Sequence, residues 1–258
     1  MSQIIATAEP FFFSGSKTGC LLVHGFTGTP KEMRRMGEYL AEQGYSILGV
    51  RLTGHATRPE DMIRSRSTDW MASVEDGYHL LRGLADLIYL IGLSMGGVLA
   101  LLMSTQLDVK GVVGISTPYR LPKDWRLNYI EFLSLFQSYL PKAKSSPGSG
   151  WFDQEARKEH VSYPQNPVRS IGELNKLTAQ MRDTLPQVKA PVLLIHSKED
   201  KNVLPENLDN IFSGLVNTRD KTKLFITNSG HVITSDAERV HVYKTVAEFI
   251  SRIEAGSR

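Results

Sequence analysis

The sequence predicts an α/β protein with a mostly parallel central sheet flanked by helices. Short, continuous apolar runs, such as residues 20–24 and 111–116, are typical of strands that a parallel sheet buries on both faces. Segments whose apolar residues recur at helical spacing alternate with these runs, which is the arrangement of βαβ units. The length of 258 residues fits one large domain, or one domain that carries an insertion.

The first 116 residues alternate between the two kinds of element. Gly44 follows a helical pattern as a stop signal, and Gly54 and His55 form a turn after a strand. We read His55 as a structural residue of that turn. The predicted strands are residues 11–13, 20–24, 45–52, 87–91 and 111–116, and the predicted helices are residues 31–43, residues 69–84 and a helix directly after Ser94.

Residues 117–183 interrupt this alternation and are predicted to form an insertion. Apolar residues recur at helical spacing from Tyr129 to Leu140 and end at Pro141, which predicts a helix over 129–140. Residues 142–150 are polar and rich in serine and glycine, so they predict a flexible linker. A second helix is predicted over residues 170–184.

The alternation resumes after the insertion, so the predicted core comprises residues 1–116 and 184–258. Its second part is predicted to contain, in order, a strand over 191–196, a helix over 204–215, a strand over 223–227 and a closing helix over 238–253.

Composition excludes several classes of protein. The 30 basic and 27 acidic residues are spread along the chain without a basic cluster, so no nucleic-acid partner is expected. No apolar run approaches the ~20 residues of a membrane helix, and the first ten residues do not resemble a signal peptide. Cys20 is the only cysteine, so no internal disulfide can form, and we expect it to be a small buried hydrophobe. A cytoplasmic monomer or small homo-oligomer is expected.

Residues 86–100 predict the position of a nucleophile. An apolar run ends in Gly92-Leu93-Ser94-Met95-Gly96, a G-x-S-x-G pattern that a helical run follows. In a nucleophile elbow this pattern sets a serine on a sharp strand-to-helix turn, where flanking glycines leave room for the backbone. An ordinary strand-to-helix turn is the alternative explanation of the pattern.

A serine needs a base within hydrogen-bond reach, and the base needs a group that orients it. In enzymes with such an elbow the chain order is serine, acid and histidine, each after a strand. His231 follows the last predicted strand, and Glu199 and Asp200 follow the strand before it. Asp200 is favoured, although the sequence does not show which carboxylate points at His231. The other histidines fit this order less well: His24, His55, His79, His160, His196 and His241.

The reaction also needs two backbone N–H groups that bind the developing oxyanion. The residue after the nucleophile, Met95, supplies one candidate. Phe26 supplies the other, because it lies in the loop after the strand over 20–24.

With these motifs the chain resembles the α/β-hydrolase superfamily, in particular the carboxylesterases and monoacylglycerol lipases of bacilli and related bacteria. The resemblance extends over nearly the whole chain. It implies Ser94 as nucleophile, Asp200 as acid, His231 as base, Phe26 and Met95 as oxyanion donors, and residues 117–183 as a small cap over an acyl pocket. The segments that carry it include Leu22-Val23-His24-Gly25-Phe26-Thr27-Gly28-Thr29-Pro30, Arg51-Leu52-Thr53-Gly54-His55, Gly92-Leu93-Ser94-Met95-Gly96-Gly97 and Asn228-Ser229-Gly230-His231.

The expected activity is therefore that of a serine carboxylesterase acting on small-molecule esters of short to medium acyl chains, with no metal or organic cofactor. A monoacylglycerol lipase is the main alternative, and a peptidase or amidase could use the same triad. A ligand-binding protein with the hydrolase fold is a less favoured alternative. The amphipathic spacing over 129–140 indicates either a helix packed on the core or transient contact of the cap with a lipid surface.

Overall fold

The computed structural model describes residues 3–122, 124–142 and 150–256. In these residues the strands, in chain order, are β1 Phe11–Phe13, β2 Thr18–Val23, β3 Ser46–Val50, β4 Leu87–Leu93, β5 Gly111–Ile115, β6 Tyr139–Pro141, β7 Gln165–Pro167, β8 Val192–Ser197 and β9 Lys221–Ile226. The helices are α1 Lys31–Glu42, α2 Pro59–Arg64, α3 Ser67–Arg82, α4 Met95–Met103, α5 Ile130–Leu133, α6 Gln154–Glu159, α7 Val168–Thr184, α8 Glu206–Gly214 and α9 Arg239–Gly256. Single 3₁₀ turns cover Trp125–Tyr129 and Leu185–Gln187.

Seven strands form one sheet in the order β1-β3-β2-β4-β5-β8-β9. Only β1 is antiparallel to its neighbour, and the other pairs are parallel. The sheet therefore confirms the predicted α/β class. Because parallel strands end at the same edge, the loops after β2, β4, β8 and β9 all lie at one edge of the sheet.

Two apolar layers cover the sheet. One contains side chains of α3, α4, α7 and α8, and the other contains side chains of α1 and α9. Side chains of β4 alternate between them, with Leu90 in the first layer and Tyr89 and Ile91 in the second. Both faces of the central strands are thus buried, which explains why their sequences are continuously apolar.

Most predicted helices are confirmed, and two short ones were not predicted. The structure has α1, α3, α4, α7, α8 and α9 within a few residues of the predicted bounds. The helices α2 and α6 have six residues each, with a single buried side chain apiece, Met62 and Ala156. Elements this short do not establish an apolar stripe, so helical spacing could not reveal them.

The prediction of a helix over 129–140 is wrong. The chain instead forms a 3₁₀ turn, the four-residue α5 and the strand β6, which pairs with β7 through Leu140 and Asn166. Ile130 is the buried side chain of α5. A helix is stabilised mainly by burial of one face, but Ile130 is the one side chain over 129–140 that is buried. Residues 143–149 of the predicted linker lie outside the described residues.

Cys20 lies in β2 and is fully buried, as predicted. Burial, and to a lesser extent the charge of Glu254, raises the pKa of the Cys20 thiol, so the side chain is an inert part of the core. None of the helices in the part of the chain that the structure describes has both the length and the apolarity needed to cross a membrane.

The contact between α3 and the sheet leads to a stability prediction. A Cβ at Gly77 would lie 2.5 Å from Val50 Cγ1 and 3.0 Å from Leu21 Cδ1. We expect Gly77→Ala to lower the free energy of unfolding by about 1–2 kcal/mol, because overpacking exceeds the gain in helix propensity. Urea unfolding followed by circular dichroism measures the change.

Gly83→Ala is the matched control at the end of the same helix. A Cβ there meets no atom closer than Leu80 O, at 3.4 Å, and the residue has helical backbone angles. We expect this substitution to leave the stability unchanged or to raise it by about 0.4–1 kcal/mol. Equal unfolding midpoints for the two variants would contradict the packing argument.

Candidate active site

Ser94 occupies the turn between β4 and α4 with φ +54° and ψ −117°. A positive φ is uncommon for a residue with a side chain and is a strained conformation that the surrounding structure must hold in place. The Ser94 N–H donates to the Ile115 carbonyl at 2.7 Å, which ties the turn to the end of β5. The strand–turn–helix context of the predicted elbow is therefore present.

Two glycines allow this turn to approach its neighbours. A Cβ at Gly92 would overlap the Gly96 carbonyl, and a Cβ at Gly96 would overlap the carbonyl of Val23, the last residue of β2. The first turn of α4 consequently packs against the end of β2. The loop after β2 is brought to Ser94 by this contact, since a Cβ at Gly25 would lie 3.4 Å from Ser94 Cβ.

His231, in the loop after β9, connects Ser94 to Asp200. Its Nε2 lies 2.9 Å from Ser94 Oγ and its Nδ1 lies 2.7 Å from Asp200 Oδ2. Because Nδ1 faces a carboxylate, Nδ1 carries the proton of the neutral ring and Nε2 accepts from the serine hydroxyl. The structure thus brings these three residues together, although Ser94 and His231 are 137 positions apart in the chain.

Asp200 is fully buried yet well provided with hydrogen-bond donors. Its Oδ1 accepts the N–H groups of Asn202 and Val203 at 2.9 and 3.0 Å. His196 Nε2, which lies 2.9 Å from the Val203 carbonyl, is also 3.2 Å from Asp200 Oδ2. Burial acts to raise the pKa of Asp200, but the charge of His231 and the hydrogen bonds from His196, His231 and Val203 outweigh it and lower the pKa.

The neighbouring acid, Glu199, has a different partner. Its Oε2 accepts the Ser197 hydroxyl at 3.1 Å, and its N–H donates to the same hydroxyl. The geometry therefore distinguishes the two acids that the sequence left open: Asp200 faces His231, and Glu199 closes a local turn.

The pKa of His231 is set by these surroundings. Burial acts to lower the pKa of His231, but the charge and the hydrogen bond of Asp200, with a smaller contribution from the charge of Glu32, raise the pKa above its ordinary value. Such an imidazole is a stronger proton acceptor than a free histidine.

The Gly25–Phe26 peptide is held by its carbonyl. The Gly25 oxygen accepts His24 Nδ1–H at 3.0 Å and the Gly28 N–H at 3.2 Å. Leu52 N–H donates to His24 Nε2, which fixes the proton of that ring on Nδ1. Burial is the main cause of a lowered pKa of His24, so the ring is neutral. The Gly25 carbonyl and the Phe26 N–H belong to the same planar trans peptide and point in opposite directions. The hydrogen bonds to the carbonyl therefore also fix the direction of the Phe26 N–H.

The N–H groups of Phe26 and Met95 are the two predicted oxyanion donors. Within residues 3–122, 124–142 and 150–256, no acceptor pairs with the N–H of Phe26 or of Met95. The Phe26 ring packs edge to face against the Trp70 ring, with a distance of 6.2 Å between the ring centroids. Unpaired N–H groups beside a buried serine hydroxyl are suited to binding negative charge.

Two histidines that do not fit the predicted chain order contact residues of this site. His24 holds the loop after β2, and His196 contacts the carboxylate of Asp200. Chain order points only to the predicted base, His231, so it gives no signal for the position of either His24 or His196. His55 packs against His24 and Trp70, in agreement with the structural role expected for it.

The loop that carries His231 is attached to the segment between β5 and β8 by the buried side chain of Asp236. Its Oδ2 accepts the Gly230 N–H at 2.7 Å, and its Oδ1 accepts the N–H groups of Phe152 and Asp153 at 2.9 and 2.7 Å. In the described part of the chain, no group of three or more His, Cys, Asp and Glu side chains is placed to hold a metal ion.

Comparison with known proteins agrees with this site. Residues 15–238 match the family described as serine aminopeptidase, S33. The chain is 36% identical over 250 residues to a thermostable monoacylglycerol lipase of Bacillus sp. (strain H-257), covering 96% of both proteins. It is 31% identical over 251 residues to a carboxylesterase of Bacillus subtilis (strain 168), covering 97% of this chain and 99% of that one.

Solved structures give the same result. One described under "LipS and LipT, two metagenome-derived lipolytic enzymes" matches with a TM-score of 0.88 and 33% identity, over 97% of this chain and 100% of the other. The monoacylglycerol lipase of Paleococcus ferrophilus has a TM-score of 0.80 at 17% identity, over 95% and 98% of the two chains, and shows a shared fold alone. The resemblance predicted from the sequence is confirmed.

The different partners of the two acids lead to a prediction for turnover of a p-nitrophenyl ester. We expect Asp200→Asn to lower kcat by about 10⁴-fold, because an amide cannot hold the His231 ring in the required tautomer. Glu199→Gln is the matched control and should retain kcat within about threefold, since Glu199 contacts Ser197 instead. Similar losses in both variants would contradict the assignment.

The pH profile of the same assay provides a second readout. We expect kcat/KM of the wild type to fall as the pH drops through the pKa of His231, which lies above the ordinary value for histidine. The reason is that protonated His231 cannot accept the Ser94 proton. In Asp200→Asn the residual activity should fall at a lower pH than in the wild type, because the charge that raises the pKa of His231 is gone.

Proposed function

Because the chain belongs to the serine aminopeptidase S33 family of serine hydrolases, we propose that it cleaves carboxylic esters of short to medium acyl chains through an acyl-enzyme on Ser94. The observation that carries the proposal is the continuous line of hydrogen bonds from Asp200 to His231 to Ser94. Three relatives that share at least 30% of their residues with this chain are named for ester or lipid hydrolysis, which supports esters over peptides as substrates.

In the proposed reaction, Ser94 Oγ attacks the ester carbonyl while His231 Nε2 takes the hydroxyl proton. The new C–O bond moves an electron pair onto the carbonyl oxygen. That oxygen is stabilised by the N–H groups of Phe26 and Met95. Asp200 remains ionised throughout and stabilises the imidazolium that forms between the two steps.

The intermediate then collapses. The C–O bond to the alcohol breaks, and the leaving alkoxide takes the proton from His231 Nε2. Water attacks the acyl-enzyme in the same way, with His231 again as base, and releases the carboxylic acid and free Ser94. The proposed cycle uses only protein groups and water.

A monoacylglycerol lipase is the second candidate, and an exposed apolar patch favours it. The patch consists of five side chains that are each 59–77% exposed: Trp125, Tyr129, Phe132, Leu135 and Phe136. Pairs of its rings contact one another edge to face. A group of large apolar side chains that are all exposed is typical of an interaction site.

As part of this proposal, residues 117–183 form a cap on a core of residues 1–116 and 184–258. The patch lies in the cap and would make transient contact with lipid aggregates that contain the substrate. A cytoplasmic location and a monomeric or small homo-oligomeric state also remain predictions.

The proposed nucleophile is tested by substitution and by labelling. We expect Ser94→Ala and His231→Ala each to lower kcat for p-nitrophenyl butyrate by at least about 10³-fold. A fluorophosphonate probe should label the wild type and not Ser94→Ala, because only an activated serine reacts. A ligand-binding protein without turnover would give neither hydrolysis nor labelling.

The natural substrate is tested by a series of p-nitrophenyl esters of increasing acyl length, assayed beside monoacylglycerols of the same acyl groups. A carboxylesterase should prefer the simple short and medium esters. A higher kcat/KM for the monoacylglycerol of each acyl group would identify the second candidate instead.

The lipid contact has its own test. We expect the double variant F132S/F136S to lose at least about fivefold in turnover of long-chain monoacylglycerol presented on phospholipid vesicles, because it removes apolar area from the patch. Its turnover of dissolved p-nitrophenyl butyrate should stay within about twofold of the wild type. Leu80→Ser, which changes an exposed apolar residue on α3, is the matched control. Unchanged vesicle activity in F132S/F136S would exclude the contact.

A further inference from the structure

Glu32, in the first turn of α1, is a buried acid that the proposed reaction does not use. Its side chain is only 5% exposed. One carboxylate oxygen, Oε2, accepts the Gly25 N–H at 2.9 Å. The other, Oε1, accepts His160 Nε2–H at 2.8 Å. The carboxylate thus joins the loop that carries Phe26 to a histidine directly after α6.

The loop after β2 is shaped around this carboxylate. A Cβ at Gly28 would overlap both oxygens of Glu32, and a Cβ at Gly25 would lie 3.3 Å from Oε2. Burying a carboxylate costs free energy unless donors surround it, so this packing would be unfavourable without the two hydrogen bonds. The loop and the side chain therefore form one unit.

Residues 160–163 run beside the same loop and bind it at two further points. Thr29 Oγ1–H donates to the Val161 carbonyl at 3.2 Å, and the Tyr163 N–H donates to the Thr27 carbonyl at 2.9 Å. Thr27 has φ +57°, a left-handed conformation that needs such support. The His160 ring also packs on Trp151, with centroids 5.2 Å apart.

The charge of Glu32 is retained in this environment. Burial acts to raise the pKa of Glu32, but the hydrogen bond and charge of His160 and the hydrogen bond from the Gly25 N–H outweigh it and lower the pKa. An ionised carboxylate forms hydrogen bonds about twice as strong as those of a neutral acceptor. The Gly25 N–H is therefore held more firmly than by an ordinary loop contact.

Gly25 is consequently fixed from both sides. Glu32 holds its N–H, while His24 and Gly28 hold its carbonyl, so the two peptides that flank Gly25 have little freedom. The second of these peptides carries the Phe26 N–H. We propose that Glu32 is a positioning residue that preorganises the Phe26 N–H for the oxyanion, and that His160 holds the Glu32 carboxylate in place.

This inference rests on the proposed function, because it assigns Glu32 a role in oxyanion binding. A preorganised donor contributes chiefly in the transition state, where the charge develops, and little to binding of the neutral ester. The loss of Glu32 should therefore appear in kcat and leave KM nearly unchanged.

The experiment compares three variants in hydrolysis of p-nitrophenyl butyrate. We expect Glu32→Ala to lower kcat about tenfold, less than the 10²–10³-fold typical of losing a donor outright, with KM changed less than about twofold. Glu32→Gln should retain kcat within about threefold, because its amide oxygen still accepts the Gly25 N–H. Glu38→Ala, an exposed acid on the same helix, is the matched control and should equal the wild type.

His160 is tested through a double-mutant cycle. We expect His160→Ala to lower kcat about threefold, because the carboxylate then loses one of its two donors. The double variant E32A/H160A should have the kcat of Glu32→Ala, since His160 acts only through Glu32. Additive losses would contradict this route.

A second measurement separates positioning from folding. Affinity for a trifluoromethyl ketone, whose adduct places an oxyanion at the site, should fall about tenfold in Glu32→Ala and little in Glu32→Gln. If Glu32→Ala does not fold, Glu32→Asp replaces it. The shorter side chain retains the charge but not the reach to Gly25, so kcat should fall while Glu32→Gln retains it.

Three results would overturn the proposal: unchanged kcat in Glu32→Ala, an equal loss of kcat in Glu32→Gln, or a loss that merely follows the folded fraction measured by circular dichroism. Failure of the proposed function is recognised separately. In that case the wild type itself would not hydrolyse the ester, or Ser94→Ala would hydrolyse it equally well.

Discussion

The site depends on the close approach of two backbone segments, the turn after β4 and the end of β2. Any side chain at Gly96 would overlap the Val23 carbonyl, so the first turn of α4 can pack there only without a Cβ. Pairing of β4 with β2 on one side and with β5 on the other fixes both partners, with Gly92 opposite Val23 and Leu93 opposite Ile115. This framework can hold the strained φ of Ser94, which costs about 1–3 kcal/mol. The same contact sets Met95 and the Phe26 loop beside one hydroxyl.

Buried charge is the second constraint on the site. Asp200 and Glu32 are both removed from water, and each is surrounded by hydrogen-bond donors that favour its ionised form. Their charges act in the same direction on His231, whose pKa they raise against the effect of burial. The contribution of Asp200 is larger because it also accepts a hydrogen bond from the ring. The charges that stabilise an imidazolium at position 231 are therefore in place before any substrate binds, and the imidazolium is the state that the proposed reaction generates.

The sequence predicted the sheet and the central elements well, because burial on both faces of β2, β4 and β8 forces continuous apolar runs. It also predicted which residues would meet at the sheet edge, since chain order and strand ends constrain them. It could not choose between Glu199 and Asp200, whose directions depend on one turn held by Ser197. It failed over 129–140, where apolar spacing did not correspond to a buried helix face. Glu32 and His196 were not recognised because their partners are distant in the chain or depend on side-chain direction.

The segment between β5 and β8 is attached to the site by two buried acids at opposite ends of one stretch. Asp236 binds the backbone at Phe152 and Asp153 and also the Gly230 N–H beside His231, while Glu32 binds His160 and the Gly25 N–H beside Phe26. Both connections use fixed backbone donors or the partly buried His160 ring, so they restrict movement of this stretch relative to the two loops. The part before it, from the 3₁₀ turn to β6, exposes four of its aromatic side chains and buries Ile130. We expect substitutions of those exposed side chains to disturb the loops that hold Ser94, His231 and Phe26 less than substitutions of Asp236 or Glu32 would, because the exposed side chains make no hydrogen bond to either loop.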